Sequence, residues 1–208
     1  MRSLLAEVAR SSQALLAFFA LGNIDVIVAR NVLDSHDAGL YAAGLIMTKA
    51  VLFLPQFVVV VAFPSMSTPH ERRRALTMGL AAVGGIGAVA TLGTYLLPGL
   101  AMVFVGGSEY AEIESRLWLF AVLGTILSML QLLVYAVLAG QGRRSVYAPW
   151  AGLVAVVALG LSCNQPTTLL AVVVSVDAVL LASLIGVSVY LARALPESKD
   201  ATAEANRR

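Results

Sequence analysis

The chain has 208 residues, 59% hydrophobic and only 12% charged, with a mean hydropathy of +0.86 and a formal net charge of +2. A soluble domain of this size cannot hide so much apolar surface, so the bilayer must act as its solvent. The small net charge is no nucleic-acid signal, and a lone cysteine, Cys163, excludes an intramolecular disulfide and a multi-cysteine metal site.

Six long apolar stretches follow in chain order: Ala14 to Val32, Gly39 to Phe63, Ala75 to Leu97, Leu117 to Leu138, Val146 to Cys163 and Thr168 to Leu191. Each is close to or above the roughly 18–20 residues that cross a bilayer as a helix. The runs are unbroken rather than alternating, which excludes β-barrel strands. The expectation is therefore an all-α polytopic membrane protein, a bundle of six transmembrane helices over residues 1–195. The polar tail 196–208 is expected to be a disordered cytoplasmic segment, and no room remains for a separate globular domain.

The first stretch is preceded by Arg2 and Arg10, as in a signal peptide, but no small-x-small cleavage site follows and the apolar run resumes after Asp25. It is expected to be one continuous transmembrane helix. The second stretch carries Pro55, which removes a backbone hydrogen bond and predicts a kink. The third contains Ala81 with Gly85 and Gly84 with Ala88, a small-x-x-x-small spacing that predicts close helix packing. Pro98-Gly99 should end it. An acidic loop with Glu109, Glu112 and Glu114 precedes the fourth stretch; Gly106-Gly107 within it lacks the Lys-Ser/Thr of a phosphate loop.

The cations fix the expected orientation. Of the 14 Lys and Arg residues, Arg2, Arg10, Arg72, Arg73, Arg74, Arg143, Arg144, Arg193, Lys199, Arg207 and Arg208 fall on one side of the six-span map. Only Arg30 and Arg116 fall on the other, and Lys49 lies within a span. Positive loops stay in the cytoplasm, so both termini are expected there, as an even number of spans also requires. The aromatics form the expected interfacial belts, with Tyr41, Tyr95, Tyr110 and Trp118 near the outer boundary and Tyr147, Trp150 and Tyr190 near the inner one. Tyr135 falls about a turn inside its helix end.

Three ionisable residues lie deep in predicted spans: Asp25, Lys49 and Asp177. Charges at this depth are costly and usually face a bundle interior or a water-filled cavity. A helical rise of about 1.5 Å per residue brings all three to one level near mid-membrane. Gln56 lies on the same helix as Lys49, about 10 Å nearer the cytoplasm. Two readings stand side by side. Asp25 and Lys49 form an ion pair that locks the first helix to the second, or the charges line a cavity. In the second reading Lys49, Arg30 and Gln56 bind substrate, while Asp25 and Asp177 couple transport to an ion. No catalytic, metal or cofactor site is expected: the two histidines, His36 and His70, are in loops, and no loop assembles a nucleophile, base and metal set.

The order of several short elements is informative. The chain reads Leu21-Gly22-Asn23-Ile24-Asp25-Val26-Ile27-Val28-Ala29-Arg30, then Asp37-Ala38-Gly39-Leu40-Tyr41-Ala42-Ala43-Gly44, Leu54-Pro55 and Phe63-Pro64-Ser65-Met66-Ser67. Later comes Phe104-Val105-Gly106-Gly107-Ser108-Glu109-Tyr110. This resembles the second, C-terminal lobe of the polysaccharide and lipid-linked oligosaccharide flippases of the MOP exporter superfamily. The resemblance spans residues 12 to about 145; the last two helices match by hydropathy alone. It implies a transporter half in the cytoplasmic membrane that moves a polyprenyl-linked oligosaccharide outward by alternating access. Asp25 matches the family's first-helix aspartate, and Lys49 lies on the cavity-forming hairpin; Asp177 matches no family motif. A single lobe implies a homodimer or a separately encoded first lobe as partner. The alternative is a non-transporting scaffold, or a truncated inactive lobe, in cell-envelope polysaccharide synthesis.

Overall fold

A computed structural model describes the backbone of residues 2–58, 60, 72–139 and 147–205, and the side chains of 12–58, 60, 74–107, 109–136 and 147–187. Every regular element among them is helical. In order these are α1 (Arg2–Val32), α2 (Ser35–Phe53), α3 (Arg72–Leu96), α4 (Pro98–Val105), a 3-10 segment (Gly107–Arg116), α5 (Leu117–Ala139), α6 (Ala148–Gly160) and α7 (Pro166–Ala205).

Five helical runs are long and apolar enough to cross a membrane: Ser12–Val32, Ser35–Val58, Arg74–Leu96, Glu109–Ala136 and Pro166–Val187. These are compatible with a multi-pass membrane protein. The expected fifth span, Val146 to Cys163, differs. Its helix, α6, has 13 residues, about 20 Å of rise against a hydrocarbon core of about 30 Å. Pro149 sits in its first turn, where a missing N–H costs nothing. At the other end Ser162 N–H bonds to Leu159 C=O (3.2 Å) and Cys163 N–H to Gly160 C=O (3.0 Å). These tight turns close the helix before Cys163, and Pro166 opens the next one. Val146, the expected start, lies outside the described residues.

Local chemistry explains the other boundaries. Asp34 caps α2, its carboxylate accepting the Asp37 N–H at 2.8 Å. Pro55 interrupts the second span as expected: α2 ends at Phe53, a turn follows, and helix resumes through Val58. The end of that stretch, 61–63, lies outside the described residues. Leu97 leaves helical geometry (φ −127°, ψ 58°), and Pro98 starts α4 rather than a plain loop. Gly106 and Gly107 take φ of 132° and 82°, values that other residues rarely adopt. They turn the chain into the 3-10 segment, which the sequence did not announce. The last helix runs on to Ala205; Ala201, Ala203, Glu204 and Ala205 are good helix formers.

The core is centred on α5, which packs against α2 and α3, while α6 packs on α1 and α7. The α2–α5 seam is built from small residues and hydroxyls. Gly44 leaves no room for a Cβ beside the Phe120 ring, and a Cβ on Gly124 would stand 2.5 Å from the Thr48 carbonyl oxygen. Thr48 Oγ1 donates to Phe120 C=O at 2.9 Å, and Ser128 Oγ reaches Leu52 C=O at 3.2 Å. Such close backbone approach and side-chain hydrogen bonding hold helices together where lipid supplies no hydrophobic drive. On α3 the close-packed residue is Gly87, against Thr125. The expected small-residue face behaves differently: Ala81, Gly85 and Ala88 are exposed, with nothing near a Cβ built on Gly85.

Candidate functional site

Helices α1, α2 and α7 bring the deep polar residues together. Asp25 is 3% exposed and Asp177 1%. Asp25 is well satisfied: Oδ1 accepts the Val26 N–H at 2.9 Å, and Oδ2 accepts the Tyr41 hydroxyl at 3.3 Å. Asp177 is not. Neither of its carboxylate oxygens has a hydrogen-bond partner among the described residues. It lies within electrostatic reach of both Asp25 and Tyr41. Two buried carboxylates and one phenol thus share the interior of a bundle whose buried residues are mostly apolar. Burying an unpaired carboxylate is expensive, so this arrangement persists only if something offsets it: a proton, a bound cation or a functional demand.

Tyr41 was expected in the interfacial belt. It is instead 0% exposed, edge-on to Phe120 with ring centroids 5.6 Å apart. Its hydroxyl is the reason: a buried phenol needs an acceptor, and Asp25 supplies it across the helical hairpin. Tyr95 does sit at the surface, 63% exposed, and stacks edge-on with Trp118 at 6.2 Å. Tyr147 and Trp150 are exposed as well.

Lys49 reaches the same region by another route. No salt bridge to Asp25 forms; the one ion pair among the described residues is His36–Glu112, at 3.3 Å and largely exposed. The Lys49 ammonium donates to the Gly22 carbonyl and to Asn23 Oδ1 (3.0 Å), while staying within electrostatic reach of Asp25. The ion-pair reading is thereby replaced: Lys49 holds α2 to α1 through neutral oxygens. Arg30 does not join the group. It stands exposed in the last turn of α1, where the helix dipole favours a cation.

Gln56 lies two helical turns beyond Lys49, past the Pro55 break. Its Nε2 donates to Gln131 Oε1 at 2.8 Å, and Gln131 Nε2 donates to the Tyr135 hydroxyl at 3.2 Å. Gln131 was missed at the level of sequence, although a glutamine in so apolar a helix is itself a signal. Among the described residues, no group of three or more His, Cys, Asp or Glu side chains could hold a metal ion. Cys163 is buried, its thiol directed to Leu159 C=O at 3.6 Å.

Comparisons with protein-family models, curated proteins and solved structures return no match to this chain.

Proposed function

We propose that the chain is one lobe of an ion-coupled membrane transporter, a flippase half that moves a polyprenyl-linked oligosaccharide across the cytoplasmic membrane. The observation that carries this reading is Asp177: a buried carboxylate without a hydrogen-bond partner among the described residues, within electrostatic reach of a second buried carboxylate. Such residues within spans mark ion and proton pathways. In this reading six spans cross the membrane, α6 being the short one, and both termini are cytoplasmic because the cationic loops lie on that side.

The mechanism follows from charge. Neutralised by a proton or a monovalent cation, Asp177 is tolerated in the bundle interior. With both carboxylates ionised, their repulsion and desolvation favour a state in which α7 moves or water enters. An ion that binds one state better shifts the lobe toward it. Alternating access needs a second wall around a midplane site, supplied by another copy or a separately encoded first lobe. The unpacked face of α3 supports such pairing. The same exposed face supports the second reading, a scaffold that docks partners without transport.

The test is transport in proteoliposomes of a fluorescent polyprenyl-diphosphate oligosaccharide, under an imposed proton or Na⁺ gradient. Gradient-dependent movement that Asp177→Asn uncouples is the expected result. Correctly assembled protein with no movement under either gradient would leave the scaffold.

A further inference from the structure

The amide pair beyond the Pro55 break holds more hydrogen-bonding capacity than the protein uses. Gln56 lies in the span Ser35–Val58, and Gln131 and Tyr135 lie one turn apart in Glu109–Ala136. A side-chain amide carries two N–H donors and a carbonyl acceptor. The Gln56–Gln131 bond uses one N–H of Gln56 and the carbonyl of Gln131; the bond to Tyr135 uses one N–H of Gln131. One N–H on each amide and the Gln56 carbonyl remain uncommitted among the described residues. All three side chains are half-buried, so each keeps part of its surface accessible.

Lipid does not satisfy such groups. Bare N–H and C=O groups facing hydrocarbon are costly, and polar side chains within spans turn to protein or to a water-filled cavity. An interhelical clasp alone would use the single Gln56–Gln131 bond and seal the rest. Here the rest has no partner among the described residues, and the nearest cation on the same span, Lys49, has its ammonium already committed to Gly22 and Asn23. The wall therefore offers neutral donors and an acceptor, with the Tyr135 ring as an amphipathic edge, and little free charge.

We propose that Gln56, Gln131 and Tyr135 form a binding subsite for a neutral, hydroxyl-rich group, a saccharide unit, on the cytoplasmic side of the lobe. Vicinal hydroxyls donate and accept at once, which matches an N–H and a C=O presented side by side. This inference rests on the transporter reading for the orientation of the wall. It adds the residues that would contact sugar rather than phosphate.

The experiment uses the full chain in membrane vesicles, with Cys163→Ala to remove the native thiol and a reporter cysteine beside the pair. Phe53→Cys is the first reporter, since Phe53 is exposed one turn before Gln56 and outside the hydrogen-bonded set; Leu52→Cys is the second. A membrane-impermeant maleimide supplied from the cytoplasmic side should label both. Maltotetraose or chitotetraose, at about ten times a millimolar Kd, should slow labelling about tenfold by mass action. Inorganic pyrophosphate should not, and Gln56→Leu with Gln131→Leu should abolish the protection. Labelling only by a lipid-soluble maleimide would place the wall against lipid and overturn the proposal. Protection by pyrophosphate, or by neither probe, would overturn it as well. Labelling needs neither turnover nor Asp177, so failure here leaves the ion-coupling reading standing, and the converse holds.

Discussion

Replacing Asp177 by leucine should make the protein more stable. Both Asp177 oxygens are buried without a partner among the described residues, and a buried unsatisfied polar group costs about 1–3 kcal/mol. Leucine is of similar size, removes both oxygens and suits a position that is 1% exposed in a largely apolar core. The unfolding free energy should rise by at least ~2 kcal/mol. Asp25→Leu provides the internal contrast. It removes the acceptor of the Val26 N–H and strands the Tyr41 hydroxyl at 0% exposure, so it should destabilise by about 1–3 kcal/mol. Reversible unfolding in bicelles, followed by steric trapping, reads both differences. A destabilised Asp177→Leu, losing ~1 kcal/mol or more, would show that Asp177 has a structural partner and would refute the argument. A carboxylate retained at a cost in stability is a mark of function.

Other consequences follow from the packing. Gly124→Ala drives a methyl against the Thr48 carbonyl and should cost about 1–3 kcal/mol by overpacking, while Gly85→Ala, which meets nothing within 4 Å, should be neutral or stabilising by up to ~1 kcal/mol; the same unfolding assay separates them. Tyr41→Phe should lose about 1 kcal/mol, the net worth of a buried hydrogen bond. His36→Ala breaks an exposed pair and should change stability by less than about 1 kcal/mol, still less in high salt. Reporter fusions at Arg74 and Glu112 should give cytoplasmic and external signals respectively; the reverse pattern would overturn the orientation.

Much of the fold was legible because long apolar runs leave few options. Unbroken apolar runs of this length read as helices, so the long apolar helices appeared within a few residues of their bounds, and the breaks at Pro55 and Pro98 were visible as prolines. What escaped had weaker local signals. The short α6 looks like a full span by composition, because an apolar turn around Leu161 reads like an apolar helix. The 3-10 segment depends on two positive-φ glycines and on Ile113 burying itself, a tertiary effect. At the site, depth alone brought Asp25, Lys49 and Asp177 to one level. Depth says nothing about direction around a helix, and so an Asp25–Lys49 pair and a cavity stood side by side, whereas Lys49 donates to Gly22 and Asn23. Tyr41 was misplaced for a related reason: an aromatic near a helix end suits an interface, and only the opposing Asp25 draws it inward. The Gln56–Gln131 pair joins residues 75 apart in sequence, a separation no local pattern reports.

The most direct test of the central claim is ion binding to the purified chain in nanodiscs. Proton release on adding Na⁺ should be followed with a pH indicator, and Na⁺ binding by calorimetry. A saturable site, filled by a proton or by Na⁺ and abolished by Asp177→Asn in protein of unchanged helicity, is the predicted result. Equal binding by wild type and Asp177→Asn, or no binding by either, would contradict it.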